Sequence, residues 1–520
     1  MKTDARGLGM KTCPPIALLL LLLHDFAHGC TTLLLGKDAT VDGSVIATHS
    51  NDGEAVTDPR LVRIPAADWP AGSTRPVWPS PEDYPRYVGS ARGASPYYAV
   101  GGENETTPVG AIPQVNHTYA YFEETYGTLS EVQLGIGEST CSGVFDARGV
   151  EAGGAALFSI DELSKIAMER AASSREAVQL MGDLAVAHGF HGQSDSLEGG
   201  SESLMVVDPR EGFVFHVLAD ASGASAIWVA QRVPDGHVAV VANHFTIREV
   251  DLDDAANFLG RADMWELAEA AGLWDASRPK DFTRTFSDGE YAHKYYSGRR
   301  MWGAYRLAAP AYTAAHLPTE YGSLKDDAPY PFSVAVERQL AVADVFAIHR
   351  DWYNGTDYDL SAGMQGGFGG SPDRYGGCAG AGCDSVDGNW ERSISLYRTS
   401  DTVVVQARGW LPDAVGGTLW FAPHAAHGSL FVPFSAGAAR APTEYSRGWA
   451  GERVCAARAR AGAYWACRAA TNAMQLHFSA ALPLVRAAQA DWEARGLALQ
   501  ARLADVQAAS RTAAACVTFC

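Results

Sequence analysis

CTTLLLGKDATVDGSVIATHSNDG, residues Cys30 to Gly53, decides how this chain is read. Thr31–Gly36 is a β-rich run, KDATVDGS closes on the turn pair Asp42-Gly43, and VIATHS is a second strand, so the stretch reads as a hairpin. A cysteine stands at the mouth of its first strand, directly behind Ala27-His28-Gly29. Upstream lie Lys2, Arg6 and Lys11, the apolar run Ile16–Leu23 and a polar HDF. That order, ending in a small-x-small triplet, is the pattern of a secretory signal peptide. The apolar run is shorter than the ~20 residues of a membrane span, and no later stretch approaches that length. Cleavage after Gly29 makes Cys30 the first residue of the mature chain. One residue then carries a thiol and a free α-amine whose ordinary pKa of about 7.7–8.0 lets it accept a proton near neutrality. An amine placed this way activates its own side chain as a nucleophile.

The rest of the composition limits the partners. The chain has 520 residues, 47% hydrophobic and 19% charged, and a net charge of −19. It is globular, and its acidity argues against nucleic-acid phosphates and anionic lipid surfaces. Sequons at Asn104, Asn116 and Asn354 fit a glycoprotein of a eukaryotic secretory route. Of nine cysteines, Cys13 leaves with the signal. Cys378/Cys383, Cys455/Cys467 and Cys516/Cys520 are spaced for local disulfides in an oxidising compartment, which leaves Cys30 and Cys141 as thiols. A Cys30–Cys141 bridge is the alternative, and it would remove the thiol chemistry. The expected location is secreted, or the lumen of an endomembrane compartment.

Local patterns indicate an α+β protein. IDELSKIAMERAASSREAVQLMGDLAVAHG reads as one helix, with Ser159 and Glu162 as a capping box and Gly189 as its stop. Two hairpins follow, SLMVVDP with FVFHVLA, and AIWVAQRV with HVAVVAN through PDG. Ser361–Gly388 is a glycine-rich loop, and Val485–Ser510 a Pro-free terminal helix. HExxH, GxSxG and phosphate-loop motifs are absent, and His188 and His191 lack a third ligand, so no metal and no cofactor is expected.

The Cys30–Gly53 run resembles the opening of the cysteine-nucleophile dipeptidase family that includes bacterial dipeptidase A and the secernins. Further similar blocks follow in order: YGTLSEVQLGIGESTC (Tyr126–Cys141), LSKIAMERAASSREAV (Leu163–Val178), IWVAQRVPDGHVAVVANHFTI (Ile227–Ile247), YYSGRRMW (Tyr295–Trp302) and ERSISLYRTSDTVVVQARGWLPDAVGGTLWFAP (Glu391–Pro423). The resemblance implies an N-terminal-nucleophile hydrolase, a four-layer αββα sandwich of two antiparallel sheets. It sets a catalytic domain over residues 30–484 behind a signal at 1–29, with a helical tail at 485–520. It makes Cys30 the nucleophile and Asp52 the carboxylate that holds the α-ammonium, where the bare sequence shows a turn aspartate. It makes Asn243 an oxyanion donor, where the bare sequence shows a strand end. Arg300 is either a cation that pairs with a substrate carboxylate or the catalytic centre, or a helix salt bridge, and Glu138, Ser139 and Cys141 line the cleft. His49 stands where the family commonly has arginine, and at the ordinary imidazole pKa of about 6.5 it would be mostly neutral at pH 7. The implied substrates are short peptides. An N-acyl amide acylase of the same fold, a non-catalytic secreted binding protein and a lipoprotein acylated at Cys30 are the alternatives.

Overall fold

The computed structural model describes residues 29–53, 57–79, 86–93, 104–192, 200–289, 294–317, 330–373, 391–446 and 462–518. Residues 1–28, read above as a signal peptide, and Cys378, Cys383 and Cys455 lie outside the described residues, as do the side chains of Cys516 and Cys520.

The opening hairpin forms as expected: Thr32–Leu35 and Val45–Asn51 pair antiparallel, and Gly43 turns between them at φ 77°. Both strands are fully buried, and their alternation sorts side chains to two different cores. Leu33, Leu35 and Ile46 face helices Arg299–Ala308 and Val342–His349, while Leu34, Val45 and Ala47 face a second sheet. A strand covered on both sides reads as a continuous apolar run, which is what TLLL is.

The first sheet has seven strands in the order Val334–Ala335, His237–Val241, Thr32–Leu35, Val45–Asn51, Asp401–Ala407, Thr418–Pro423, Val432–Ser435. The second has eight: Phe258–Gly260, Ala226–Arg232, Gly212–Ala219, Ser201–Val207, Gly135–Cys141, Gly127–Ser130, Tyr121–Glu123, Val62–Ile64. Helices Ile160–Arg170 and Ser174–His188 cover its outer face through Leu163, Ile166, Val178 and Met181. The result is helix, sheet, sheet, helix, the expected αββα sandwich. The sheets meet most tightly at Gly137, where an added Cβ would lie 2.0 Å from the Thr48 carbonyl oxygen. Only glycine permits that approach.

Four local expectations are corrected. The single long helix is two, broken at Ala171–Ser173, because Ser173 accepts the Glu176 N–H and starts a second N-terminus. Ser159 makes no cap with its helix, and Glu162 turns instead to Arg75 and Arg92. AIWVAQRV and HVAVVAN do not pair. Ala226–Arg232 belongs to the second sheet and His237–Val241 to the first, so PDG carries the chain across the sandwich. The Ser201–Val207/Gly212–Ala219 hairpin does form. The terminal helix starts earlier than read, at Phe478, contains Pro483 and runs to Thr518. Gln489 ties it to the Ser429 carbonyl at 2.8 Å and Gln500 to Gln406 at 2.9 Å on the first sheet.

Candidate active site

Strand register alone gathers the site. Thr32 pairs with Val241 and Leu35 with Val238, so the same register carried two residues further sets Asn243 across from Cys30. On the other side Leu34 pairs with Ala47 and Thr31 with Ser50, which sets Asp52 across from Gly29. The nucleophile candidate and the bond before it are thus flanked by the two residues singled out from sequence.

Asp52 is fully buried. Its Oδ2 accepts from Arg392 Nη2 at 2.7 Å and from Ser50 Oγ at 3.2 Å, and its Oδ1 from Thr399 Oγ1. The same Arg392 nitrogen donates to the Gly29 carbonyl. A Cβ on Gly29 would lie 2.1 Å from the Tyr296 hydroxyl, so a larger residue ahead of the cysteine requires that side chain to shift.

Arg300 makes no salt bridge among the described residues, contrary to the helix reading. Its guanidinium is fully buried and spends its donors on neutral oxygens: Cys30 O at 2.6 Å, Thr31 Oγ1 at 3.0 Å, Asn243 Oδ1 at 2.6 Å, Ala242 O at 3.3 Å and Tyr296 O at 3.0 Å. Burial and the nearby Arg392 lower it to about 10, still a cation at neutral pH. Asn243 holds a left-handed backbone at φ 60°, donates through Nδ2 to Thr140 O at 2.6 Å and through its N–H to Ser139 Oγ at 3.0 Å. Ser139 Oγ also donates to Cys30 O at 3.4 Å. Asparagine is among the few non-glycine residues that adopt this conformation readily.

Cys30 and Cys141 are both free thiols, so the bridge that would have silenced Cys30 is not made. Cys467 is a free thiol as well. Cys141 lies behind the site, 3.1 Å from Ser203 Oγ, which in turn meets His216 Nδ1 at 2.6 Å. It supports the strand rather than joining the Cys30 cluster.

That cluster is Cys30 Sγ, a ring nitrogen of His49 and a carboxylate oxygen of Glu138, all within 4.8 Å of one another and all buried. His49 Nδ1 lies 2.7 Å from the Glu138 carbonyl and 3.7 Å from its carboxylate. These are the described residues whose donor atoms converge as a metal ion would require, a grouping that His188 and His191 do not approach. The ring's charge also differs from the free-imidazole expectation. Burial pulls His49 down, and Glu124, Glu138 and Asp401 overcome that and hold it above 6.5.

Sequence reasoning did not single out Arg392, Thr399, Glu124 or Asp401. Three of them lie in or beside ERSISLYRTSD, a block quoted for its resemblance, and nothing local marks them as partners of strand Val45–Asn51. Asp401 is the most perturbed of the four. Burial and the adjoining Glu124 push it up to about 8 from 3.8, so it is protonated at neutral pH in the folded chain and ionised in the unfolded one. A raised folded value gives stability that is full below 3.8 and lost as pH rises through about 8. Asp401→Asn removes that loss. The variant's stability relative to the parent should grow by about 1.4 kcal/mol per pH unit from pH ~5 to ~8. Paired thermal melts across that range check it, and a difference constant with pH contradicts it.

The profile of Peptidase family C69 matches residues 29–491, beginning one residue ahead of Cys30. The chain is similar to a "Probable dipeptidase" of Latilactobacillus sakei, 24% identical over 76% of this chain and 73% of that one. It is similar to a "Probable dipeptidase" of Salmonella dublin at 23% over 78% and 81%. Against "Dipeptidase A" of Lactobacillus helveticus it is 21% identical over 76% and 72%.

Proposed function

The chain belongs to peptidase family C69 and is a hydrolase acting on peptide bonds, and from that premise we propose that it is a secreted dipeptidase working through Cys30 as an N-terminal nucleophile. The observation that carries this is Asp52, buried across from Gly29 and joined to its carbonyl through Arg392. Removal of Gly29 leaves a new α-ammonium beside that carboxylate. Deprotonated, the amine takes the thiol proton; the thiolate attacks the substrate carbonyl; Asn243 donates to the oxyanion; and the same amine, now protonated, supplies the leaving amine with its proton. Water then hydrolyses the thioester by the reverse roles. Arg300 holds Cys30 and Asn243 in register and touches no reacting atom. Short peptides as substrates follow from the names of the relatives. The exposed sequon residues Asn104, Asn116 and Asn354 support a secretory route.

The test is hydrolysis of unblocked dipeptides by the purified mature protein. Activity should resist chelators and be abolished by thiol alkylation and by Cys30→Ser. Hydrolysis confined to N-acyl amides that are not peptides would replace the dipeptidase by an acylase. A further expected result concerns processing: intact mass of the secreted protein should place its N-terminus at Cys30. Any other start would remove the α-amine from the mechanism.

A further inference from the structure

His49, Glu138 and Cys30 come from three separate strands or strand ends, and no single sequence motif joins them. Their donor atoms lie within 4.8 Å of one another. Two of those side chains have unused polar atoms in the interior: His49 Nε2 and Glu138 Oε2 are buried without a hydrogen-bond partner. Burying such atoms unpaired is costly, and a fold that keeps them at one point beside a thiol holds them in place for something that binds there.

Thiolate sulfur, imidazole nitrogen and carboxylate oxygen together are a donor set for zinc, with bonds of about 2.3, 2.0–2.1 and 2.0–2.2 Å. Such bonds put the three donors roughly 3.3–3.8 Å apart, so donors now within 4.8 Å of one another would close by up to about 1.5 Å through side-chain rotation. Glu124 is a further carboxyl that acts on His49. Hard cations such as magnesium and calcium prefer all-oxygen shells, so sulfur and nitrogen select against them.

We propose that Cys30, His49 and Glu138 bind a zinc ion that switches the peptidase off, zinc acting as an inhibitor at the nucleophile and not as a cofactor. The inference rests on Cys30 being the nucleophile. Zinc displaces to solvent the thiol proton and, where the His49 ring is charged, its second proton, and occupies the sulfur lone pair that would attack the substrate; no electron is transferred.

The experiment titrates zinc into chelator-treated mature enzyme while dipeptide hydrolysis is followed. In parallel, cobalt(II) is titrated and the near-ultraviolet thiolate-to-cobalt charge-transfer band is recorded. One equivalent of zinc should lower the rate at least about tenfold, with full recovery on adding chelator, and one equivalent of cobalt should give the band. In His49→Gln and Glu138→Gln, each measured against its own zinc-free rate and checked by thermal melting, the zinc concentration for half-inhibition should rise at least tenfold. The cobalt readout needs no activity, so a variant with little turnover still reports. Chelator-resistant, Cys30-dependent hydrolysis that zinc leaves unchanged would overturn the inhibition alone. Inhibition of equal potency in both variants would place zinc elsewhere and overturn the site. Activity lost to chelator and restored by zinc would overturn the inhibitory role and the thiol mechanism together.

Discussion

An enzyme in which one glycine remains ahead of Cys30 is expected to fold normally and to turn over about 10²–10⁴ times more slowly than the mature form. The thiol is unchanged in such a protein. What is lost is the base: the Cys30 nitrogen is an amide, with no basic lone pair for the thiol proton, and a positioned general base is typically worth that factor. Glycine is the residue to leave in place, because any Cβ at position 29 meets the Tyr296 hydroxyl at 2.1 Å and would confound the result with a packing defect. Moving the signal cut one residue upstream produces the form, and intact mass confirms that Gly29 persists during the assay. The rival base is His49, whose ring nitrogen lies within 4.8 Å of the thiol. If the glycine-extended enzyme keeps more than about a tenth of the mature rate, outside the range for a lost base, His49 serves Cys30 and the cut explains secretion only.

The parts of this molecule that were legible beforehand are those written in short-range pattern. Thr31–Leu35 and Val45–Asn51 carry their pairing in an apolar run, a turn and a second run, and the structure pairs them as read. The errors share a cause: a local signal was trusted where a distant contact decides. Ser159 and Glu162 have capping spacing, but Glu162 is claimed by Arg75 and Arg92, whose approach depends on a segment some 70 to 87 residues away. PDG has hairpin chemistry, but the strands it joins are each more fully covered in different sheets, so the turn becomes a crossing. The site divides in the same way. Cys30, Asp52 and Asn243 sit at strand ends that register brings together. Arg392 and Thr399 reach Asp52 from 340 and 347 residues away, and only the fold reveals that separation as contact. Glu138 was read as cleft lining on resemblance alone; its meeting with His49 depends on Gly137 letting one sheet touch the other.

Asn243→Gly is expected to cut kcat by about 10²–10³, the usual cost of one oxyanion donor, while leaving KM within a few-fold. The choice of glycine follows from the backbone. Position 243 sits at φ 60°, where an alanine pays about 1–2 kcal/mol of steric strain and asparagine is among the few residues that visit it readily. Alanine would therefore remove the amide and distort the loop that carries it, whereas glycine adopts that conformation without strain. The substitution also takes one acceptor from Arg300, whose Nη2 bonds Asn243 Oδ1 at 2.6 Å but reaches Ala242 O at 3.3 Å as well. A stability loss of about 1–3 kcal/mol is expected from that lost partner, and melting curves measure it separately from turnover. The split between kcat and KM carries the decision. A donor placed for the tetrahedral oxygen binds the transition state more strongly than the planar substrate, so its removal lowers kcat and kcat/KM together. A rise in KM at constant kcat would make Asn243 a residue of uniform substrate binding. The oxyanion would then have to be served by another donor, and Arg300, which already reaches the Cys30 carbonyl, would change from a positioning group to the principal candidate.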